Sequence, residues 1–296
     1  MYSQFFGNYL FSNGHVTKEQ LLSALSRQAK VAIQVRMLAL YSGYMSSQEI
    51  EYVIELQKED GKNFSEIAIK YGYLTQEQVI ELLNNKAPDF LILGQILISD
   101  GVFSYAEFEN ILTDYRSQAE FLDFELNEEN RNDFHRLVED FSIVSEFAIP
   151  DFGKSYLELL FNNFVRYIGD DFSSLPPSLC NEFATEHCVS QMIKGSYVVN
   201  TYFNMDSSTA IAFAERYSGD TYDEVDEYVL AAIEDILNLH NGIYIVNESN
   251  DTLNELSIGV VNHHHDEIIS FDKATFLFPI CYSFGIIYFV MEIISL

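Results

Sequence analysis

Four glycines recur at a fixed interval of 29 residues in the first third of the chain: Gly14, Gly43, Gly72 and Gly101. Each is followed by apolar residues seven and eleven positions later, a spacing that places both on one face of a helix. Four units in one register indicate a true repeat. A unit this short cannot bury its apolar face alone, so neighbouring units must stack. We therefore predict an all-α domain of four 29-residue helical repeats over residues 1–116.

Each glycine is followed, three residues later, by a side chain that can cap a helix. These capping residues are Thr17, Ser46, Thr75 and Ser104. Gln or Glu stands three positions after each cap, which is the arrangement of a capping box. Glycine suits the end of the preceding helix because it adopts positive φ without a Cβ penalty. Each unit is therefore predicted as a short helix, a glycine turn and a longer helix.

This pattern resembles the MshE N-terminal domain, found at the front of type II secretion and type IV pilus ATPases. The resemblance covers about residues 5–115 and rests on the period, on the opening glycines Gly7 and Gly94, and on the closing glutamines Gln28 and Gln57. Some members of that family bind cyclic di-GMP. They use an opening Arg-Leu-Gly, apolar residues near the second glycine and the closing Gln.

On this chain the resemblance implies a cyclic di-GMP site made of Phe6, Gly7, Leu10, Gly14 and Gln28. The family's opening Arg is replaced in the four units by Phe5, Gln34, Asn63 and Ile92. Without that guanidinium an anionic dinucleotide loses a bidentate contact. The alternative interpretation is that the repeats form a helical scaffold or a docking module.

The acidic charge of the chain is unevenly distributed. There are 16 Lys and Arg residues against 45 Asp and Glu residues, a formal charge of −29. Residues 1–116 have a net charge of −5 and the remainder a net charge of −24, which predicts a domain boundary near residue 116. Such an excess of acid argues against binding of nucleic acids and against docking on anionic membranes. It favours basic partners.

Residues 117–150 are predicted to form an acidic helical linker between the two domains. The stretch around Glu128–Phe147 is charged and lacks turn-forming residues, so we expect one helix there. The helix should stop at Ile149, because the residue before Pro150 disfavours helical backbone angles.

Two features bear on the cellular compartment. The three cysteines, Cys180, Cys188 and Cys281, are scattered, and the N-terminus lacks a secretory signal, so we expect reduced thiols and a cytoplasmic protein. The apolar segment Ala274–Leu296 is long enough to span a bilayer. It is interrupted by turn-forming residues and is rich in β-formers, so we predict two buried strands that turn near Ser283–Gly285 and no membrane span.

Residues 151–296 are predicted to form an α+β domain with an antiparallel sheet and one long helix. The predicted helices are Lys154–Ile168, Thr209–Tyr217 with a cap at Asp206, and Asp223–Asn241 ended by Gly242. A loop is predicted at Ser174–Pro177. The predicted strands are Val189–Ile193, Tyr197–Phe203, Ile243–Asn247, Leu256–Val261 and the terminal hairpin.

The long helix carries a polar row. Asp235 and Asn238 are three residues apart and so lie on one helical face, and Asn241 continues the row by another three. A carboxylate and an amide held in this way could grip a partner's cation and orient a water molecule. An ordinary solvated helix face would have the same composition.

This domain resembles the CheX and CheC family of chemotaxis phosphatases. Three stretches carry the resemblance in order: SSTAIAFAERYSGD (207–220), AAIEDILNLHNGI (231–243) and FPICYSFGIIYFVMEI (278–293). The family's motif is Glu-x-x-Asn on a helix that enters the active site of a phosphorylated response-regulator receiver domain. There the acidic residue engages the receiver's lysine and the Asn orients the attacking water.

The resemblance implies that Asp235 stands at the Glu position and Asn238 at the Asn position, with Glu234 as a possible substitute for Asp235. It implies no cofactor of the chain's own, because the receiver would supply Mg²⁺. A CheY-like receiver is the implied partner, and the resemblance also implies a homodimer, because the family pairs through sheet edges. The alternative is a non-catalytic adaptor whose repeats recognise a nucleotide or a secretion partner and whose CheX-like domain dimerises.

Other polar clusters predict no metal site. His263, His264 and His265 are consecutive, and neighbouring residues on a strand point to opposite faces, so we expect a polar loop there. Cys180 and the Glu186–Cys188 stretch lack the spacing of zinc ligands.

Overall fold

The computed structural model describes residues 3–85, 88, 90–125, 133–144, 147–251 and 255–295. The chain divides into two compact units, Met1–Arg131 and Asn132–Leu296. The charge step at residue 116 lies inside a helix, Tyr105–Glu125, so the chain does not change unit at that position.

The regular elements in the described part of the first unit are helices. They are α1 (Ser3–Ser12), α2 (Lys18–Leu25), α3 (Val35–Tyr41), α4 (Ser47–Asp60), α5 (Phe64–Lys70), α6 (Gln76–Asn84), α7 (Phe90–Ser99) and α8 (Tyr105–Glu125), with a short 3-10 helix, Gln28–Lys30, after α2.

The glycine turns have the local geometry that the repeat implies. The φ angles of the four repeat glycines lie between 70° and 81°. Thr17, Ser46 and Thr75 form capping boxes at the starts of α2, α4 and α6. Ser104 and Glu107 exchange the same pair of hydrogen bonds at the start of α8.

An aromatic cluster holds α1 against α7 and α8. The ring centroid of Phe6 lies 4.9 Å from those of Phe90 and Tyr115 and 6.2 Å from that of Phe108. Gly94 of α7 lies against the same Phe108 ring, and a Cβ atom there would be 2.1 Å from Phe108 Cζ. The absence of a side chain at Gly94 therefore permits the close approach of α7 to α8.

The second unit contains both helices and strands. The helices are α9 (Asp133–Val144), α10 (Asp151–Tyr167), α11 (Ser207–Ser218) and α12 (Glu227–Asp251). The strands are β1 (Phe172–Ser174), β2 (Ser178–Ala184), β3 (His187–Lys194), β4 (Val198–Met205), β5 (Ser257–His265), β6 (Ile268–Tyr282) and β7 (Gly285–Ser295).

The strands form one antiparallel sheet, which has seven strands within the described part of the chain. Its order is β1-β6-β7-β4-β3-β5, and β2 also pairs with β6. The helices contribute aromatic side chains to its core: the ring of Tyr156 stacks on that of Phe289, and Phe164 contacts Phe203. The predicted α+β class with an antiparallel sheet is confirmed for this unit.

Several local predictions are also confirmed. Strands β3 and β4 pair as the predicted hairpin, and α11 begins at the predicted cap, Asp206, whose side chain accepts from the backbone of Thr209. The apolar C-terminal segment forms β6 and β7, with Tyr282 paired to Gly285 at the turn. That segment is therefore two buried strands.

Helix α12 meets the length and hydropathy criteria of a membrane-spanning helix over Glu227–Asn250. Core helices of soluble proteins can meet the same criteria, and α12 packs against α10, α11 and β3 in this unit.

The predicted end of the long helix is wrong. The prediction stopped the helix at Gly242 and placed a strand at Ile243–Asn247, whereas α12 continues to Asp251. The buried Tyr244 explains the continuation: its hydroxyl donates to the carbonyl of Phe152 at 3.1 Å and lies 2.6 Å from the hydroxyl of Tyr197. These contacts outweigh the cost of about 1 kcal/mol that a glycine imposes within a helix.

Two other expectations need correction. Ser174, predicted as loop, is the last residue of β1, where it pairs with Ile280. Helix α9 lies within the predicted acidic linker, but Leu137, Val138 and Phe141 are buried. It therefore belongs to the core of the second unit. Residues 126–132 and 145–146 of the predicted linker lie outside the described residues.

Candidate functional site

The polar face of α12 carries the two residues that the motif singled out. Asp235 and Asn238 are both exposed, while their neighbours Ile236 and Leu237 are fully buried. Residues three apart on a helix have Cβ atoms about 5–6 Å from each other. The carboxylate and the amide can therefore reach one atom of a partner.

The buried side of α12 is more polar than a typical core face. His240 and Asn241 are both fully buried. The prediction that Asn241 continues the exposed row is therefore wrong, because the helical repeat of 3.6 residues rotates it toward the sheet. There its Nδ2 donates to Gln191 Oε1 at 2.9 Å, and its Oδ1 accepts from the hydroxyl of Tyr156 at 2.6 Å.

Gln191 connects this buried network to the exposed site. It lies on β3 and is 1% exposed. Its Nε2 donates to Asn238 Oδ1 at 2.8 Å and to the carbonyl of Gly259 at 3.0 Å. Asn238 is therefore an exposed side chain whose amide oxygen is held by a hydrogen bond from the buried Gln191.

Sequence reasoning missed Gln191. The signal available was a glutamine in the middle of the apolar strand Val189–Ile193, where a polar side chain must find partners if it is buried. The sequence alone did not say that its partner would be Asn238.

The surroundings of Asp235 are polar and acidic. Burial and the nearby Asp235 carboxylate both raise the pKa of Tyr217 on α11. Two basic residues of this unit are engaged elsewhere: Arg216 forms a bidentate pair with Asp171, and Lys273 donates to the carbonyl of Ile294. A partner should therefore bring cationic groups to this face.

Glu234 has a partner within the chain. Its Oε2 atom lies 3.0 Å from Nε2 of His263 on β5, and both side chains are partly exposed. This contact turns Glu234 toward the sheet edge, whereas no such contact is present for Asp235 among the described residues.

The three consecutive histidines lie on β5, so the expected polar loop is wrong. The strand is stabilised by pairing with β3, in which His264 lies opposite Cys188. The Nε2 atom of His264 is 2.9 Å from Ser190 Oγ, and its Nδ1 atom is 2.6 Å from Glu267 Oε1. The described residues contain no group of three or more His, Cys, Asp or Glu side chains arranged to hold a metal ion.

The first unit places the predicted nucleotide-binding residues in different environments. Phe6, Gly7 and Leu10 are buried in α1, Gly14 is exposed in its turn, and Gln28 is partly buried. The Phe6 ring belongs to the aromatic cluster with Phe90. Phe6 and Leu10 therefore serve the core of this unit, and a ligand could not touch them without a rearrangement.

The geometry of α12 supports one kind of chemistry. A carboxylate can accept from a lysine or bind near a metal ion, and an amide can hold a water molecule or a phosphoryl oxygen. The amide is not a nucleophile, and its oxygen already accepts a hydrogen bond from Gln191. Positioning of a water molecule is the step that this pair can supply.

No protein-family model matches the chain, and no curated protein matches its sequence. Solved structures of CheX- and CheC-like chemotaxis proteins are similar to about half of it. A CheC-like superfamily protein from Shewanella sp. PV-4 has a TM-score of 0.43 and 16% identity, covering 48% of this chain and 97% of that one. CheX from Desulfovibrio desulfuricans has a TM-score of 0.41 and 14% identity, covering 49% and 99%. The complex of CheX with CheY, BeF3 and Mg²⁺ from Borrelia burgdorferi gives 0.41 and 16%, covering 48% and 96%.

Proposed function

We propose that the second unit binds a phosphorylated receiver domain through Asp235 and Asn238 and hydrolyses its aspartyl phosphate. The observation that carries the proposal is the exposure of both side chains on one face of α12, with the Asn238 amide fixed by Gln191. If its partner is a receiver domain, this protein acts in the cytoplasm.

The proposed reaction needs one water molecule. Asn238 holds the water in line with the acyl phosphate while Asp235 engages the receiver's lysine. The water oxygen bonds to phosphorus, the bond between phosphorus and the aspartyl oxygen breaks, and the products are the aspartate carboxylate, inorganic phosphate and a proton. The partner supplies the Mg²⁺ that neutralises the phosphoryl charge.

Asp235 is the better candidate for the carboxylate than Glu234, because Glu234 is already paired with His263. Asp is one methylene shorter than the Glu of the family motif. The receiver's lysine would therefore have to come closer to α12 to reach Asp235. A displacement of about 1 Å from the productive geometry can lower the rate roughly a hundredfold.

Replacing Asn238 by Ala is expected to lower the stimulated rate of phosphate release about a hundredfold, because one positioning group for the water is lost. The measurement is phosphate release from a panel of phosphorylated receivers mixed with the full chain. Asn247→Ala is the matched control, since Asn247 is an exposed asparagine on the same helix, beyond the motif. Equal rates of phosphate release for the wild type and Asn238→Ala would reject the proposed enzymatic activity.

A second candidate function is a non-catalytic adaptor whose repeats bind a nucleotide. One observation favours it: the first unit contains a cavity of about 220 Å³, lined by Gln34, Val35, Arg36, Gln57 and Phe64. Arg36 lines this cavity, and its Nε atom is buried without a hydrogen-bond partner among the described residues. The cavity is smaller than the roughly 300–1,000 Å³ of pockets for drug-sized ligands, so it suits one base of a dinucleotide such as cyclic di-GMP.

Calorimetry with cyclic di-GMP tests this second function. We expect binding heat with the wild-type chain and at least a tenfold weaker affinity for Arg36→Met, because a charge-assisted hydrogen bond contributes about 1.5–3 kcal/mol. Lys62→Met, at an exposed position, is the control with the same change of charge. No heat at high micromolar nucleotide would reject the nucleotide site.

A further inference from the structure

The orientation of the Gln191 amide is determined by a group that can only accept. Gln191 makes a hydrogen bond with the carbonyl oxygen of Gly259 at 3.0 Å, and a carbonyl cannot donate. The NH2 group of Gln191 must therefore face Gly259. The register of the pairing between β3 and β5 shifts between Gln191 and Ile193, next to this contact. The Gly259 carbonyl therefore accepts its hydrogen bond from a side chain.

The orientation of Gln191 propagates to its neighbours. Its carbonyl oxygen faces Asn241, so Asn241 must donate with Nδ2 and accept from Tyr156 with Oδ1. On the other side, the second proton of Gln191 Nε2 points at Asn238, which must therefore accept with Oδ1. A flipped Asn238 would place two NH2 groups against each other and lose this hydrogen bond.

We infer that Gln191 is a positioning residue that holds the Asn238 amide with its NH2 group facing the partner. The Nδ2 atom of Asn238 makes no hydrogen bond within the described ranges, and the residue is exposed. The effect of Gln191 on activity rests on the proposed function, whereas the orientation of the Asn238 amide does not.

This orientation defines the chemistry that the site accepts. An outward NH2 group pairs with an atom that accepts a hydrogen bond, such as the oxygen of a water molecule or of a phosphoryl group. A water oxygen that accepts from Asn238 keeps a second lone pair for attack on phosphorus. A lysine or another donor would meet Asp235 and not Asn238, so the two side chains divide the partner's donors and acceptors between them.

The orientation can be measured by NMR in the full chain without any receiver. In the wild-type protein we expect the Gln191 side-chain NH2 protons to exchange slowly with solvent and those of Asn238 to exchange at least tenfold faster. In Gln191→Glu, measured at a pH at which the introduced carboxyl group is ionised, that group can only accept, so Asn238 must flip and donate to it. The Asn238 NH2 protons should then become protected by tenfold or more.

The effect on activity needs a variant that removes the donor without adding charge. Gln191→Met keeps the length of the side chain and lets the Asn238 amide rotate, so we expect kcat for phosphate release to fall about tenfold with KM within threefold. Asn204→Leu is the matched control. Asn204 is a buried amide on β4 that bonds the backbone at Glu186 and Ala184, outside this network. The Asn204→Leu variant should lose stability as Gln191→Met does, and its kcat should be unchanged.

The outcomes separate the two proposals. Slow exchange of the wild-type Asn238 amide, or unchanged exchange in Gln191→Glu, would overturn the orientation whatever the activity. A kcat that falls equally in Asn204→Leu and Gln191→Met would overturn the positioning role and leave a general loss of stability. If the wild type releases no phosphate from any receiver, the proposed function fails, while amide exchange still decides the orientation.

Discussion

Acidification below pH 6.5 is expected to reduce the free energy of unfolding of the second unit by about 1.4 kcal/mol per pH unit through His240 alone. His240 is fully buried on α12, and burial lowers its pKa from 6.5 to about 3. Between these two values the unfolded chain binds a proton at this residue and the folded chain does not. Stability therefore rises with pH across this window, with no contribution from His240 above it.

The surroundings of His240 explain why it stays neutral. Its Nδ1 atom lies 3.0 Å from Asn163 Nδ2, an amide that donates, and the ring of Tyr156 packs edge-on at a centroid distance of 4.3 Å. The Nε2 atom has no hydrogen-bond partner in the part of the chain that the structure describes. A proton added to Nδ1 would face the Asn163 donor in a site without solvent.

The measurement compares the wild type with His240→Gln, which does not titrate. Peroxide oxidation of the buried Met291 along a urea gradient reports on the second unit only, and a thioether has no titrating proton in this range. From pH 6.5 to 4.5 the stability difference should shift by about 2.3 kcal/mol in favour of His240→Gln. The other histidines and the carboxylates are the same in both proteins, so a stability difference that does not depend on pH would contradict the prediction.

Replacing Gly285 by Ala is expected to destabilise the second unit by about 3 kcal/mol. Gly285 starts β7 at the hairpin turn, and a Cβ atom there would be 1.9 Å from Thr209 Oγ1 and 2.8 Å from Thr209 Cβ. Thr209 is fully buried at the start of α11, so it has no room to move aside. Either the hairpin or the start of α11 must shift.

The same substitution at Gly242 should have the opposite sign. Gly242 lies inside α12, and a Cβ atom there would meet nothing within 4 Å. Alanine is favoured over glycine within a helix by about 0.5–1 kcal/mol, so Gly242→Ala should raise stability by that amount. Urea midpoints from oxidation of Met291 compare the two variants directly. Destabilisation by Gly242→Ala would contradict the open space at Gly242, and an unchanged midpoint for Gly285→Ala would contradict the packing around Gly285.

Much of the local structure could be predicted because it depends on residues close in the sequence. The capping box at Thr17 needs only Gln20, three residues away, and the turn at Gly14 needs only a residue that adopts positive φ. The exposure of Asp235 and Asn238 followed from the helical spacing of the apolar residues around them. These features need no knowledge of the rest of the fold.

The errors arose where a distant residue decided the outcome. Ile243–Asn247 is rich in β-formers and follows a glycine, so it was predicted as a strand. Burial of Tyr244 against Tyr197 keeps it helical, and these two residues are 47 positions apart. The carbonyl of Gly259 in turn sets the amide of Gln191, 68 positions away, and so the orientation of the site.

The sequence by itself predicted the 29-residue repeat of residues 1–116, and it determined the α+β class of the second unit and the spacing that puts Asp235 and Asn238 on one helix face. These follow from periodicity, capping and turn chemistry, which act over three or four residues. Only the tertiary structure decided that Asn241 is buried, that Glu234 turns to His263, and which way the Asn238 amide points. The physical reason is that a buried polar group must be satisfied, and its partners come from whichever strand the fold places beside it.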